Sequence, residues 1–205
     1  MKELVVLVAD GQQKAVIETL IEARYQSLFI RQLCNQQDFD VFAHPRKDPG
    51  VYGEAAQFLS IYVNKYRYAL VLLDAEWEGS PGRSEIKQKI QIALNQNGWE
   101  NRSETIVIEP ELEIWVWSSS SEVCNILGQT WEQIHKIAEQ HHLWTAGAEK
   151  PQRPKELMEV VLHQARKHPS AAIFKSLAKK VSLTKCQDVA FEELKQKLQE
   201  WFPSA

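Results

Sequence analysis

Cysteine is scarce: Cys34, Cys124 and Cys186 are the only three in 205 residues, far apart and never in a CxxC pair. An odd, scattered set supports neither a disulfide framework nor a zinc site. No apolar run approaches the roughly 18 residues that a membrane span requires. The opening run, MKELVVLVAD, carries one lysine and stops at Asp10-Gly11 without a small-residue cleavage site. It reads as a buried first strand rather than a secretory leader. These absences set the expectation of a cytoplasmic protein with no membrane contact. Also missing are GxxxxGK followed by Ser or Thr, GxGxxG, HExxH and GxSxG, which argues against ordinary ATPases, dinucleotide enzymes, zinc proteases and α/β-hydrolases.

What is present is ordinary globular material, 44% hydrophobic and 25% charged. The net charge of −3 is unevenly placed. Residues 1–148 carry 13 Lys/Arg against 20 Asp/Glu, and residues 149–205 carry 11 against 7. An acidic region followed by a basic one suits metal and phosphate handling on one molecule, and equally a solvated helical surface.

Apolar runs at ELVVLVA (3–9), FDVFA (39–43), YALVLL (68–73) and ETIVI (104–108) predict four strands. Helical spacing predicts intervening helices over 12–28, about 51–66, and from a Ser84 cap to about Asn97, with RKDPG as a polar loop before the second. A further helix is expected to begin within ELEIWVWS. Four alternations of strand and helix predict an α/β fold: a mostly parallel four-stranded sheet with helices on both faces. Beyond residue 120 the pattern is helical only, over 130–141, 154–167, 170–180 and 188–201. The expected organisation is an α/β domain over 1–120 and an all-helical C-terminal extension over 121–205, packed on it. TAGAEKPQRP (145–154) is the best linker candidate.

In a parallel sheet, ligands bind at the carboxyl ends of the strands. Asp10 stands at the end of the first strand, Asp74 at the third and Glu109 at the fourth; Glu76, Glu111 and Glu113 follow closely. Gathered carboxylates are unfavourable unless a cation neutralises them or some take up protons. All-oxygen donors suit Mg²⁺ or Mn²⁺, which would stabilise charge on a phosphoryl oxygen or activate water. The expected roles are Asp74, Glu76 and Glu113 as metal ligands and Asp10 and Glu111 as catalytic carboxylates. For any single acid a plainer role is available: Asp10 and Glu111 would suit the first turn of a following helix.

The segments VADGQQ and VLLDAEWEG resemble a Toprim domain, with Asp10-Gly11 matching its first acidic motif and Asp74-Ala75-Glu76 its Asp-x-Asp motif. Two residues depart from that pattern: Asp10 stands where Glu is usual and Glu76 where Asp is usual, each shifting a carboxylate by one methylene. A narrower resemblance covers nearly the whole chain. LVVLVAD, FAHPRKDPG, ALVLLDAE, IVIEPELEIWVWS, KPQRPKE and KVSLTKCQDVAFEELKQKLQEWFP are similar to the small Toprim-like subunit of methylation-associated antiphage defence systems, a group near the nuclease domain of OLD enzymes. The resemblance implies a multi-protein module working beside a DNA methyltransferase, with other defence proteins as partners and nucleic acid within reach.

His44 and Arg46, with Lys47 and Asp48 on the same HPRKDPG segment, are candidates for phosphate binding, as are Lys155 and Lys175 in the basic segment. Trp115 and Trp117 read as core anchors, and Trp77, beside the acidic motif, as a stacking or partner contact. Three functions stay open: a Mg²⁺-dependent nuclease or phosphoryl-transfer subunit, a non-catalytic assembly or sensor subunit with a degenerate Toprim site, and a toxin-like effector acting on host nucleic acid.

Overall fold

Four strands form where the sequence has its unbroken apolar runs: β1 (Lys2–Val8), β2 (Phe39–Ala43), β3 (Tyr66–Asp74) and β4 (Ser103–Ile108). The computed structural model describes residues 1–118, 120–183 and 186–204. Every strand pair is parallel, in the order β2-β1-β3-β4. Continuous Val/Leu/Ile runs are what a sheet covered on both faces needs, and the alternation of side chains feeds two separate cores. Leu4, Val6, Val8, Leu70, Leu72, Ile106 and Ile108 face one side. Val5, Leu7, Val71, Leu73 and Val107 face the other.

Helix α1 (Gly11–Ala23) lies on the first face, followed by the single turn α2 (Tyr25–Leu28). Helices α3 (Lys47–Ser60) and α4 (Arg83–Leu94) cover the second. A π turn (Asn95–Trp99) ends α4 and delivers Trp99 into that second core. After β4 the chain makes a 3-10 turn (Leu112–Trp115) and then α5 (Ser121–Leu127), α6 (Trp131–Gln140), α7 (Pro154–Gln164), α8 (Ala171–Lys180) and α9 (Val189–Trp201). These helices extend the first core: one apolar cluster runs from Leu4 of β1 through Trp117, Leu157 and Phe174 to Phe202. Trp115 and Trp117 are buried in it, as expected of core anchors. Among the described residues no helix is long and apolar enough to cross a membrane.

The α/β class and the covered four-stranded sheet agree with the sequence reading; the helix boundaries differ in instructive ways. The helix expected over 12–28 stops at Ala23. Arg24 leaves helical geometry (φ −118°, ψ 18°), and its guanidinium donates to the carbonyls of Ala178, Lys179 and Val181 at 2.9, 2.9 and 3.0 Å. It thereby satisfies the open C-terminal end of α8. The helix expected from 51 begins at Lys47, so the RKDPG segment supplies its first turn rather than a loop. Asp48 favours a helix N-terminus, and Pro49 is tolerated there because its missing N–H would be unpaired anyway. That helix ends at Ser60, and Tyr66 belongs to β3. Ser84 does not cap α4; Gly82, at φ 92°, holds that position. Helix α5, capped by Ser120, was not anticipated, since its seven residues are too few to show a period.

The topology fixes where a ligand crevice can open. From β1 the chain passes over the first face toward β2, and from β3 it passes over the second face toward β4. The two connections leave adjacent carboxyl ends in opposite directions, which is the switch point of an open α/β sheet. Asp10 and Asp74 stand on either side of it.

Candidate functional site

Each of the four strand ends contributes acid to this edge. Asp10 follows β1, Asp48 follows β2 in the first turn of α3, Asp74 closes β3, and Glu111 and Glu113 follow β4. Asp10 is the N-cap of α1, its Oδ1 accepting from the backbone N–H groups of Gln12 (2.8 Å) and Gln13 (2.9 Å). Asp48 Oδ1 accepts from the Asp74 N–H at 2.9 Å. Asp74 Oδ1 accepts from the Gln13 side-chain amide (2.9 Å) and from the Leu112 N–H (3.0 Å). Gln13, itself buried, accepts the Ala9 N–H through Oε1 at 2.9 Å, so its amide is fixed with its donor end toward Asp74.

The acids feel one another. Burial pushes the Asp74 carboxyl well above the usual carboxylate range, and Asp48, Glu113, Glu111 and Asp10 push it further. Burial raises Asp48 as well, against its backbone hydrogen bonds. Glu113, 5% exposed on the 3-10 turn, is pushed up to about 7 by burial and then by Glu111 and Asp10. Burial raises Glu111 despite Lys155 beside it. Crowded carboxyl groups with too few cations keep protons at neutral pH.

One cation is built in. Lys155 stands in the first turn of α7, and its Nζ lies 3.5 Å from Glu111 Oε2. Its backbone N–H donates to Glu111 Oε1 at 3.2 Å. The residue at the N-cap of α7, Arg153, supplies no side-chain cap, so Glu111 performs that service from 44 positions earlier in the chain. Burial disfavours the Lys155 charge, but Glu111, Glu113 and Asp74 together hold its pKa above the ordinary lysine value.

The remaining candidates separate. Glu76 is exposed and lines, with Trp77, Glu109, Glu111, Lys155 and Glu156, an open recess at the mouth of the cluster. Trp77 is half-buried and leans on Tyr52, 5.8 Å between ring centroids. His44 is buried; its Nδ1 accepts the Arg46 N–H at 3.2 Å and its Nε2 faces Glu54 Oε2 at 3.3 Å. Burial and the nearby Arg46 lower its pKa, which keeps the ring neutral. Gly50 packs so closely on this imidazole that a Cβ there would meet Nδ1 at 2.2 Å. The Arg46 guanidinium pairs with the same Glu54. Thus His44 is buried against Glu54, whereas the Arg46 side chain is exposed and paired with the same carboxylate. Lys175 stands exposed on α8 and, among the described residues, pairs with none of the acids. Asp48 and Gln13 are the members that sequence reasoning did not assign to the cluster. Asp48 obeys the same rule as the others, an acid just past a strand end, but lies among basic residues that suggested phosphate instead.

The donors can be tested against the Mg²⁺ or Mn²⁺ that the Toprim resemblance implies. One oxygen each of Asp10, Asp48 and Asp74 already accepts internal N–H groups, and both oxygens of Glu111 face Lys155. Among the described residues no three His, Cys, Asp or Glu side chains are grouped so that they could hold one metal ion. As arranged, this donor set does not fit a divalent ion. Comparison of the chain with family models, curated proteins and solved structures finds no match in any of the three.

Proposed function

We propose that this chain is a component of a methylation-associated antiphage defence system, serving as a non-catalytic assembly or sensor subunit with a degenerate Toprim-like site. The observation that carries the non-catalytic reading is the state of the acids: one oxygen each of Asp10, Asp48 and Asp74 accepts internal N–H groups, and both oxygens of Glu111 face Lys155. The two departures from the Toprim pattern, Asp10 and Glu76, point the same way: Asp10 caps α1 and Glu76 is exposed. The defence assignment rests on the strings from LVVLVAD to QEWFP, and the partners it implies are other defence proteins.

The test is phage protection by the complete gene set carrying the double substitution Asp10→Asn, Asp74→Asn, which preserves the hydrogen-bond acceptors. Unchanged protection with a normally folded subunit is the expected result. Lost protection with intact assembly would overturn it in favour of a second reading, a metal-dependent nuclease or phosphoryl-transfer subunit. One observation favours that second reading: acids from all four strand ends meet at the switch point of the sheet, where α/β proteins bind ligands. Its signature would be nucleic-acid cleavage that needs Mg²⁺ or Mn²⁺ and disappears in Asp74→Asn.

A further inference from the structure

The Toprim resemblance calls for a divalent cation, and the chain places a lysine among the acids that would receive it. From this disagreement, and resting on the degenerate-site reading above, we infer that Lys155 is an internal counter-ion that shuts the carboxyl edge to divalent cations. It is an autoinhibitory contact delivered by α7.

Three features carry the inference. The Lys155 ammonium lies 3.5 Å from Glu111, and it is the cation that Glu111, Glu113 and Asp48 feel. The contact is doubled at the backbone, because the Lys155 N–H binds the other Glu111 oxygen. The Lys155 backbone therefore cannot leave Glu111 without uncapping α7. The helix that carries it is anchored independently: Leu157, Met158, Val161 and Leu162 are buried in the first core, and the Trp117 indole N–H donates to Pro154 O at 3.0 Å. The backbone of Lys155 is thus held at the edge by an anchored helix, and its half-exposed side chain reaches Glu111 from there. An approaching Mn²⁺ would meet a positive charge at the edge and a Glu111 carboxylate already turned to it, and like charges a few ångströms apart repel at a partly buried site. Glu111 has the corresponding role. Read from sequence as a catalytic carboxylate, it acts as the joint between the sheet edge and α7.

The experiment is a Mn²⁺ titration of the full chain and two variants, Lys155→Met and Lys155→Arg, followed by calorimetry and by the Mn²⁺-dependent shift in melting temperature. Lys155→Gln is the alternative should Lys155→Met fold poorly. The expected result is no Mn²⁺-dependent stabilisation of the wild type up to millimolar concentration, none for Lys155→Arg, and at least tenfold tighter Mn²⁺ binding once the charge is removed. The added binding should vanish when Glu113→Gln is combined with the neutral variant. Equal Mn²⁺ affinity in wild type and Lys155→Met would overturn the inference, as would a neutral variant that gains no binding. These readouts are independent of phage protection, so the inference and the defence assignment fail separately.

Discussion

The two ends of the sheet carry similar numbers of acids and treat them differently. At the amino end Asp40, Glu3 and Glu104 each face a cation, and Asp38 accepts the Cys34 N–H. Asp40 Oδ2 meets Lys2 Nζ at 2.6 Å and accepts the Tyr66 hydroxyl at 2.5 Å. Glu3 faces Arg31 (3.1 Å) and Arg67 (3.8 Å), and Glu104 faces Lys87 (3.1 Å) and Lys197 (3.6 Å). At the carboxyl end, where Asp10, Asp48, Asp74, Glu111 and Glu113 gather, Lys155 is, among the described residues, the cation that acts on Asp48, Glu111 and Glu113. The amino ends of the strands are themselves more polar, with Lys2, Glu3, Arg67 and Glu104 on them, and cations stand among these acids; the carboxyl ends are apolar up to the acids that follow them. An end whose charges cancel holds the fold together, whereas an end whose acids outnumber their partners must retain protons or recruit a cation.

The comparison can be broken in four ways. The largest effect is expected at the amino end, where the Arg102 guanidinium donates to the carbonyls of Gly98, Val63 and Tyr66 and lies 4.3 Å from the centre of the Trp99 ring. Arg102→Ala leaves these carbonyls without their charged donor and should cost about 3 kcal/mol, lowering Tm by roughly 6–12 °C in thermal unfolding. A loss under about 1 kcal/mol would show this network to be dispensable.

The second test is pH. Glu113 titrates near 7 in the folded chain and at about 4.3 when unfolded. Between those values the folded state holds a proton that the unfolded state has released, so this group's contribution to stability is full below about 4.3 and declines as pH rises toward 7. Asp74, also raised, acts in the same direction. Melting temperatures recorded from pH 5 to 8 should therefore contain a component that falls with pH, and Glu113→Gln should flatten it. An unchanged slope in that variant would remove Glu113 as its source.

The third test is one chemical change made at both ends. Asp40→Asn discards the charge that Lys2 needs and should cost about 1 kcal/mol. Asp74→Asn keeps an oxygen for Gln13 and Leu112 while removing a crowded charge, and should be neutral or stabilising by up to about 1 kcal/mol at pH 8. Denaturant unfolding gives both values, and equal signs would mean that the ends do not differ as described. The smallest effect concerns Asp10. Asp10→Ala should cost about 1 kcal/mol through the lost cap, whereas Asp10→Ser should restore most of it. Failure of serine to restore stability would show that Asp10 does more than cap α1.

The strands β1, β3 and β4 were legible because they are buried on both faces, and that demand writes an apolar run into the sequence, whereas the edge strand β2 alternates. Asp10, Asp74, Glu111 and Glu113 were legible because acids just past such runs fall on one edge by topology alone. What escaped depends on partners distant in sequence. Nothing local says that Arg24 will leave its helix to satisfy α8, or that Lys155, one basic residue among many in its segment, will sit against Glu111. His44 and Arg46 look like phosphate ligands until the fold brings Glu54, two turns into α3, against both.

The joins between the early and late chain have a consequence for synthesis. Leu28 O accepts from Gln199, and Arg31 N donates to Phe202 O. The segment that links α1 to β2 therefore cannot complete its hydrogen bonding until residues 199–202 have been made. At about 5–20 residues per second, that is a wait on the order of ten seconds or more. Throughout it the first apolar face lacks its outer helices, and a nascent chain in that condition is a natural client for a chaperone.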